Sequence, residues 1–420
     1  MAINIEKLIT QIDARYAAID SNTSVLEQFR INQARDRLNN SGVNVLTYNS
    51  TGQLPSTADS AFLGTIAYVR TDNVFGDSDG AFYIATARDS GWVRVASTQD
   101  SGEAAIAAPG PPSYTGRQGS NYGYTAGGRN PGAPTSQTTI DKFSLSSDAN
   151  ATDVGDVTTP TLSASGHSSA TNGYATTGQQ SGTTYSNMIQ RYPFASDGNA
   201  VDIGYDMAVG RRYATSGAHS ETHGYVTGGA SAGPPPPNTS GTNDIEKFAF
   251  TNDANGTDVG DLTVAKVGRA GQNSTTDGYA SGGVDAPGSS FVNVIDKYSF
   301  TSDGNSTDVG DITGGPSGRY GGAGSSSTTH GYTAGGMNPP YSNIIDKFPF
   351  AADGNATDVG DIIATKRYGA GQTSTTHAYM SGGGSPYVDT IQKWSTSSDE
   401  NASDIANLTV ARDFGAPAQY

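Results

Sequence analysis

Apolar and polar residues alternate with two different periods along this chain. In the first 40 residues, four apolar residues recur at every seventh position: Ile5, Ile12, Ile19 and Leu26. A seven-residue apolar repeat predicts helices that associate along one seam. Residues 1–40 are therefore expected to be helical, and two interpretations are open. The seam forms an oligomerising or docking stalk, or a helical hairpin covers the β module that follows it.

Residues 41–103 show the two-residue period of strands instead. Three runs alternate in this way, namely 63–69, 81–86 and 91–95, with a turn-forming Asp-Ser-Asp-Gly string at 77–80 between the first two. This pattern predicts a small β module. Residues 104–112 contain Pro-Gly-Pro-Pro, which is typical of a linker.

Residues 113–420 consist of an internal repeat with a period of 46 to 56 residues. Each copy has an aromatic residue after an Ile-(Asp/Glu/Gln)-(Lys/Arg) string: Phe143, Tyr192, Phe248, Tyr298, Phe348 and Trp394. A tyrosine followed by a Gly-Gly doublet precedes each of these aromatic residues, although the second copy has Thr177-Gly178 instead. An Asp-rich turn, best seen at 302–311, follows each of them. Six such copies predict a repeat architecture.

These motifs resemble the kelch repeat, in which one repeat of about 50 residues forms one four-stranded blade. The resemblance implies a mainly β fold, a six-bladed kelch-like β-propeller preceded by the helical segment and the β module. The late residue, usually Trp in that family, is mostly Phe or Tyr here. Glycine in the doublet is expected to let strands pack closely near the crowded axis. Because residues 408–417 resemble residues 262–271, the C-terminal strand is expected to close the ring in the first blade.

Composition excludes several classes of site and partner. The chain has no cysteine, which removes disulfides and thiolate metal sites. Its net charge is −16 and no Lys/Arg cluster is present, so nucleic acid is not an expected partner. No apolar run reaches the ~18 residues of a membrane span. The N-terminus lacks the basic and apolar regions of a signal peptide.

No catalytic constellation, cofactor site or metal site is predicted. The Asp-rich turn offers oxygen atoms at 303, 305, 308 and 311, but it lacks the order of ligands and the final Glu of a calcium-binding loop. A structural turn is favoured, and calcium is the alternative. His223, His330 and His377 recur at one position in three of the six copies, where Asn172 and Asp277 stand in two others, which indicates turn hydrogen bonding. Recurring arginines before the early strand are expected to form ion pairs between blades: Arg211, Arg212, Arg269, Arg319, Arg367 and Arg412.

The segment between the Gly-Gly doublet and the Ile-x-Lys strand differs in every copy. In a four-stranded blade these segments all reach one face, whereas the repeated turns reach the other. A variable face rich in Pro and aromatic residues on a constant scaffold is typical of a binding surface. The alternative is that these loops vary because nothing constrains them. The candidate ligand-binding residues are Tyr185, Pro235, Phe291, Tyr341 and Tyr387.

The strings Gly-x-Ile-x-Tyr-Val at 64–69, Gly-x-Phe-Tyr-Ile at 80–84 and Gly-Trp-Val at 91–93 resemble small β modules of tailed-bacteriophage virion proteins. The Gly- and Asn-rich repeats resemble those of cyanophage particles. The resemblance implies a virion structural protein (fibre, tail-associated or decoration), made in the host cytoplasm and located in the virion.

The same resemblance implies the partners. The N-terminal region docks on other virion proteins, the chain forms a homo-oligomer with a trimer favoured, and the propeller contacts host surface glycan or another virion subunit. A soluble glycan-binding or glycan-active propeller is the alternative, and so is a cellular adhesion or scaffold propeller.

Overall fold

The computed structural model describes residues 46–50, 66–71, 81–87, 91–97, 118–130, 136–180, 185–211, 213, 217–231, 241–251, 254–285, 290–314 and 318–420. The chain divides into two compact units, Met1–Tyr114 and Thr115–Tyr420. The predicted helical segment 1–40 with its seam, the linker 104–112 and Pro235 lie outside the described residues. Within those residues, no helix has the length and apolarity needed to span a bilayer.

The first unit contains one four-stranded sheet. Its strands are β1 Leu46–Ser50, β2 Ile66–Thr71, β3 Ala81–Ala87 and β4 Gly91–Ser97, in that spatial order. β1 and β2 are parallel, and the other pairs are antiparallel. The strands β2, β3 and β4 coincide with the three alternating runs of the sequence. β1 was not predicted, because the run at 46–50 is short and shows little alternation.

The second unit is a six-bladed β-propeller, which confirms the predicted number of blades. Each blade is a four-stranded antiparallel sheet. The strands of the first three blades are β5 Tyr122–Ala126, β6 Thr139–Ser144, β7 Thr152–Asp156, β8 Ser165–Ser168, β9 Asn172–Thr176, β10 Met188–Pro193, β11 Val201–Asp206, β12 Ala218–His219, β13 His223–Ala230, β14 Gly241–Ala249 and β15 Thr257–Asp261.

The remaining strands are β16 Lys266–Val267, β17 Ala270–Asn273, β18 Asp277–Ser281, β19 Val284–Asp285, β20 Val294–Ser299, β21 Thr307–Asp311, β22 Ala323–Ser326, β23 His330–Ala334, β24 Ile344–Pro349, β25 Thr357–Asp361, β26 Ala370–Thr373, β27 His377–Ser381, β28 Thr390–Ser395, β29 Ser403–Asn407 and β30 Ala416–Gln419. β16 and β19 pair with each other outside the blades.

The last strand, β30, is the inner strand of the first blade. It pairs antiparallel with β5, so the first blade has the order β30-β5-β6-β7. Two side-chain contacts link it to its neighbours at the axis. The Gln419 amide N–H donates to Ser168 Oγ at 2.9 Å, and Gln419 Oε1 accepts from the Thr373 amide N–H at 3.2 Å. The ends of the repeat region are thus held in one sheet.

A tyrosine in the second strand of each blade packs against aromatic residues of the next blade. The ring centroids of these pairs lie 4.7 to 6.5 Å apart in five of the blade-to-blade contacts and across the closing contact Tyr379–Phe143. All six tyrosines are buried: Tyr124, Tyr174, Tyr225, Tyr279, Tyr332 and Tyr379. The conserved period of the repeat therefore arises from contacts between blades.

The Gly-Gly doublet does not act as expected from the sequence. Its glycines do not pack at the axis; they have positive φ, for example 62° at Gly127 and 106° at Gly128, and turn the chain out of the second strand into the variable loop. Thr177 has the same φ, 59°, in the second copy. The close approach at the axis is made by inner-strand glycines, because a Cβ on Gly324 would overlap the carbonyl oxygen of Gly271 in the preceding blade.

The Asp-rich turns join neighbouring blades. In all six, the Asn side chain accepts a backbone N–H at the end of the preceding blade's outer strand, as Asn305 does from Asp261 at 3.1 Å. In five, the Asp pairs with a lysine of the preceding blade, as Asp303 does with Lys247 at 2.6 Å. These contacts account for the turn's repeated sequence without a bound ion.

Buried ion pairs connect four of the six blades to the segments that lead into them. They are Arg211–Glu246, Lys266–Asp296, Arg319–Asp346 and Arg412–Asp141. The second and sixth blades have a neutral Gln190 or Gln392 at the acidic position. In the second blade, the uncharged Thr161 stands at the lead-in position where other blades carry the cation.

The acidic position is therefore neutral in two blades. In one, the lead-in segment has Thr161 and no cation. In the other, the lead-in cation forms a hydrogen bond with a different group. This cation is Lys366, whose Nζ donates to the Pro386 carbonyl oxygen at 3.0 Å. Burial lowers the pKa of Lys366. Charge and counter-charge thus vary together from blade to blade, as the cost of burying an unpaired carboxylate requires.

The recurring arginines do not share one structural position, which corrects the expectation that they all pair between blades. Arg211, Arg319 and Arg412 form the buried pairs. Arg269 is fully buried, and its Nε donates to Thr227 Oγ1 at 2.9 Å instead of to a carboxylate. Arg367 lies one position later and faces the variable loops, and Arg212 is outside the described residues. In the sequence all these arginines precede an early strand, and insertions hide the fact that they do not occupy equivalent positions.

Removal of the closing strand tests the ring. We expect a variant lacking residues 416–420 to lose protection in the first blade, because the edge of β5 and the Tyr124 ring would then be exposed. Limited proteolysis and thermal unfolding, with the full-length chain as the reference, measure this. A truncated chain that resists protease and unfolds at the same temperature would show that the closing strand is dispensable.

The buried pair of the first blade makes a second prediction. Arg412→Thr leaves Asp141 buried without its cation, and we expect a loss of about 3–5 kcal/mol in the free energy of unfolding. Adding Asp141→Gln copies the neutral pair Thr161 and Gln190 of the second blade, and should recover at least half of that loss. Urea-induced unfolding measures both.

The matched control is Lys393→Gln, which breaks the part-exposed pair with Asp148. Its expected cost is below about 1 kcal/mol. Equal losses for Arg412→Thr and Lys393→Gln, or no recovery in the double variant, would contradict the importance of the buried pair.

Candidate binding face

The two faces of the propeller are built from different connections. Antiparallel strand order places the turns between inner and second strands, and between third and outer strands, on one face, which we name the constant-turn face. The loops between second and third strands, and the lead-in segments to each inner strand, lie on the other, which we name the variable-loop face. The chain reaches β5 on the constant-turn face, where the Ser120, Asn121 and Tyr122 amides all donate to the Tyr420 carbonyl oxygen.

The variable loops are anchored at their bases. Isolated bridges join Gln179 to Tyr185, Val284 to Phe291 and Met337 to Tyr341. Three of the candidate ligand-binding residues are thus held by backbone pairing at corresponding places in three blades. This pairing constrains loops of different length, which is evidence against the alternative that nothing constrains them.

Lead-in residues close the propeller axis on this face. We name Tyr213, Gly268, Gly321, Tyr368 and Phe414 the axial collar. From Gly268 onward, each of its amides donates to the carbonyl oxygen of the preceding member, at 2.5 to 2.8 Å. All five have positive φ, between 57° and 74°. The rings of Tyr368 and Phe414 stack with centroids 3.8 Å apart, and both are buried.

A paired arginine lies on one side of the collar. Arg129 Nη2 and Nε donate to the two carboxylate oxygens of Asp413 at 2.7 and 3.1 Å. Its guanidinium carbon is 4.9 Å from the centroid of the Phe414 ring and 5.4 Å from that of Tyr387. Burial raises the pKa of Asp413, while the hydrogen bond and charge of Arg129 oppose that rise. Asp413 holds the guanidinium against both rings.

A second arginine, Arg367, lies among three rings. Its guanidinium carbon is 4.8 Å from the centroid of Tyr368, 5.2 Å from that of Tyr341 and 6.0 Å from that of Tyr320. Nη1 donates to the Tyr320 hydroxyl at 2.8 Å and contacts Met337 Sδ at 3.2 Å. None of the described carboxylates forms an ion pair with Arg367.

The structure brings three of the five candidate residues to one region. Phe291 stacks on Tyr320 with centroids 5.6 Å apart, and Tyr320 accepts the hydrogen bond from Arg367. Tyr341 lies under Arg367, and its hydroxyl is 3.1 Å from Ser385 Oγ in the loop that carries Tyr387. Tyr185 belongs to the second blade and is not part of this contact chain. Phe291, Tyr341 and Tyr387 are half-buried.

Sequence reasoning missed Arg129 and Asp413 and assigned Arg367 a different role. It also missed the aromatic residues of the lead-in segments. A signal for the latter exists, because an aromatic residue follows Arg or Asp shortly before the inner strand in four lead-in segments: Tyr213, Tyr320, Tyr368 and Phe414. The pairing of Arg129 with Asp413 had no such signal, since 284 residues separate them and ring closure brings them together.

The recurring histidines lie on the constant-turn face. In His223, His330 and His377 the ring Nδ1 is 2.8 Å from Oγ1 of the preceding threonine. Partial burial, followed by a nearby lysine, lowers the pKa of each. No cluster of three or more His, Cys, Asp or Glu side chains suited to a metal ion occurs among the described residues. These histidines act within their turns.

Comparison with known proteins adds the fold alone. No protein-family model matches the chain, and no curated protein sequence matches it. Among solved structures, one described as the structure of YjhT is similar to this chain, with a TM-score of 0.51 and 15% sequence identity. The similarity covers 64% of this chain and 92% of the YjhT chain. At this identity the likeness supports the propeller architecture, and carries no information about activity.

Proposed function

We propose that this chain is a structural protein of a phage virion, a fibre, tail-associated or decoration protein, and that its propeller is built from kelch-like repeats. The variable-loop face binds the host surface or another virion subunit. The N-terminal region docks on other virion proteins and forms a homo-oligomer, with a trimer favoured. The protein is made in the host cytoplasm and located in the virion.

The observation that carries the binding part of the proposal is the contrast between the two faces. On the constant-turn face, Asn, Asp and Lys side chains are occupied by contacts between blades. On the variable-loop face, half-buried aromatic rings and two guanidiniums surround the closed axis. Half-buried rings held by anchored loops lose little conformational entropy on binding.

The place where the chain enters the propeller also supports the variable-loop face as the binding face. Residues 118–122 lie on the constant-turn face, held by the Tyr420 carbonyl oxygen and by a bond from the Gly119 amide to the Thr373 carbonyl oxygen at 2.6 Å. The first described residues of the second unit therefore lie on the face opposite the variable loops. The virion part of the proposal rests on the sequence resemblance of residues 64–93.

A soluble glycan-binding or glycan-active propeller is the second candidate. The buried Asp413 with a raised pKa, beside two arginines near the axis, favours it. A glycan-active enzyme would release new reducing ends from host polysaccharide, and a binding protein would not. Asp413→Asn should abolish such release if the carboxyl group takes part in the chemistry.

The test of the proposed function is competition for adsorption. Purified full-length protein should block attachment of particles that carry it, and immunogold labelling should place it on those particles. The double variant Tyr341→Ala, Tyr387→Ala removes two rings from the variable-loop face. We expect it to need at least ~10-fold more protein for the same block, because each lost stacking contact weakens binding.

Tyr122→Ala is the matched control, since Tyr122 is an exposed tyrosine beside a lysine on the constant-turn face. It should block as well as the unchanged protein. Absence of the protein from particles would overturn the virion role. Equal blocking by the double variant would overturn the role of the variable-loop face.

A further inference from the structure

Arg367 lies beside the axial collar on the variable-loop face and forms no ion pair with any described carboxylate. The third-strand lysines pair with turn aspartates, four lead-in cations pair with buried acids, and Arg129 pairs with Asp413. The lead-in cations Lys366 and Arg269 donate to protein oxygen atoms instead. Arg367 has hydrogen bonds to a hydroxyl and a thioether, and its Nε is buried with no acceptor among the described residues. A guanidinium has five donor hydrogens, so this one is poorly satisfied.

The local charge contrasts with that of the whole protein. Arg129, Arg367 and Asp413 together leave one positive charge beside the axis, while the chain carries −16. Nearby apolar rings lower the local dielectric constant and strengthen the attraction of this charge for an anion. A polyanion such as nucleic acid is disfavoured, because the rest of the surface would repel it.

The rings around the two arginines define the rest of the ligand. Tyr341 and Tyr387 are half-buried, and their loops are tied by the bond between the Tyr341 hydroxyl and Ser385 Oγ. Flat rings pack on the apolar face of a sugar, and the hydroxyl groups of Tyr341 and Ser385 suit its hydroxyls. A small inorganic anion would pair with the guanidinium but would not contact the tyrosine rings. A neutral sugar would pack on the tyrosine rings but would not neutralise the charge of the guanidinium.

We infer that Arg367, with the rings of Tyr341 and Tyr387, binds an acidic sugar unit of a saccharide through its carboxylate or sulfate group. The inference rests on the proposed function in taking the variable-loop face as the binding surface. Arg367 pairs with the anionic group, and the rings carry the sugar. Arg129 is already paired with Asp413, which fixes its position and leaves Arg367 as the anion-binding donor.

The site lies at the junction of the fifth and sixth blades. Arg367 leads into the sixth blade, Tyr341 belongs to the fifth and Tyr387 to the sixth. At the position of Arg367, the other described lead-in segments have Leu162, Val267, Tyr320 and Asp413. Among the described lead-in segments, Arg367 is thus the one cation at this position.

The test measures binding of three oligosaccharide probes of equal length to the full-length protein by isothermal titration calorimetry. The probes are a dextran oligomer with one terminal uronate unit, one with a single sulfate group, and one without an acidic group. We expect at least one acidic probe to bind more tightly than the neutral one, and its affinity to fall as salt rises. The acidic probe that binds identifies the carboxylate or the sulfate.

Arg367→Gln should weaken binding of that probe by about 10-fold or more, because one charge-assisted contact is lost. Arg367→Lys keeps the charge and should retain part of the affinity. Lys142→Gln is the matched control, since Lys142 lies 4.2 Å from the Tyr122 ring centroid on the constant-turn face, and it should bind as the unchanged protein does. Thermal unfolding verifies that each variant is folded.

Failure of binding by both acidic probes, or equal affinity in Arg367→Gln, overturns the inference. These outcomes are distinct from failure of the proposed function. If the acidic probe binds through Arg367 but the protein is absent from particles, the virion role falls and the saccharide site stands. If the protein is on particles and blocks adsorption but no acidic probe binds, the site falls and the virion role stands.

Discussion

The contact between a tyrosine of one blade and the aromatic residues of the next is the interaction on which the propeller depends. Each second-strand tyrosine is buried and packs against aromatic residues of the next blade, so a single blade would lack this contact. Six such contacts are satisfied together when the sixth blade meets the first, through Tyr379 and Phe143. An aromatic pair adds about 0.5–1.5 kcal/mol beyond its burial. The strand β30 holds that last junction together, because it pairs with the blade that contains Phe143.

The same requirement divides the molecule into a face that assembles it and a face that is available for binding. The turns beside the tyrosines supply an Asn and an Asp to each junction, so their sequence repeats and their polar atoms are occupied. The variable loops differ in sequence from blade to blade. They can differ in length and content as long as their bases keep the backbone bridge, and this freedom allows one scaffold to present a specific surface.

The sequence predicts the features that repeat and misses those that occur once. The period, the buried tyrosines and the Asp-rich turns predict six blades, because each is set by a contact made at every junction. The role of the Gly-Gly doublet was wrong, since spacing alone does not distinguish a glycine needed for positive φ from one needed for close packing. Phe291, Tyr341 and Tyr387 were identified from loop composition. Arg129 and Asp413 were not, because their contact depends on the ring being closed.

The binding region arises where the six-fold pattern breaks. At the collar position, two lead-in segments have glycine, which adopts positive φ without strain, whereas Tyr213, Tyr368 and Phe414 each bear a cost of about 1–2 kcal/mol in the left-handed region. These three residues place aromatic rings where a glycine would leave empty space. Tyr368 and Phe414 stack on each other, and each also carries a guanidinium, Arg367 or Arg129. The strained residues thus serve two purposes: they close the axis, and they support the two arginines on one side of the ring. A propeller with glycine at every collar position would be less strained and six-fold symmetric, and it would have no such site.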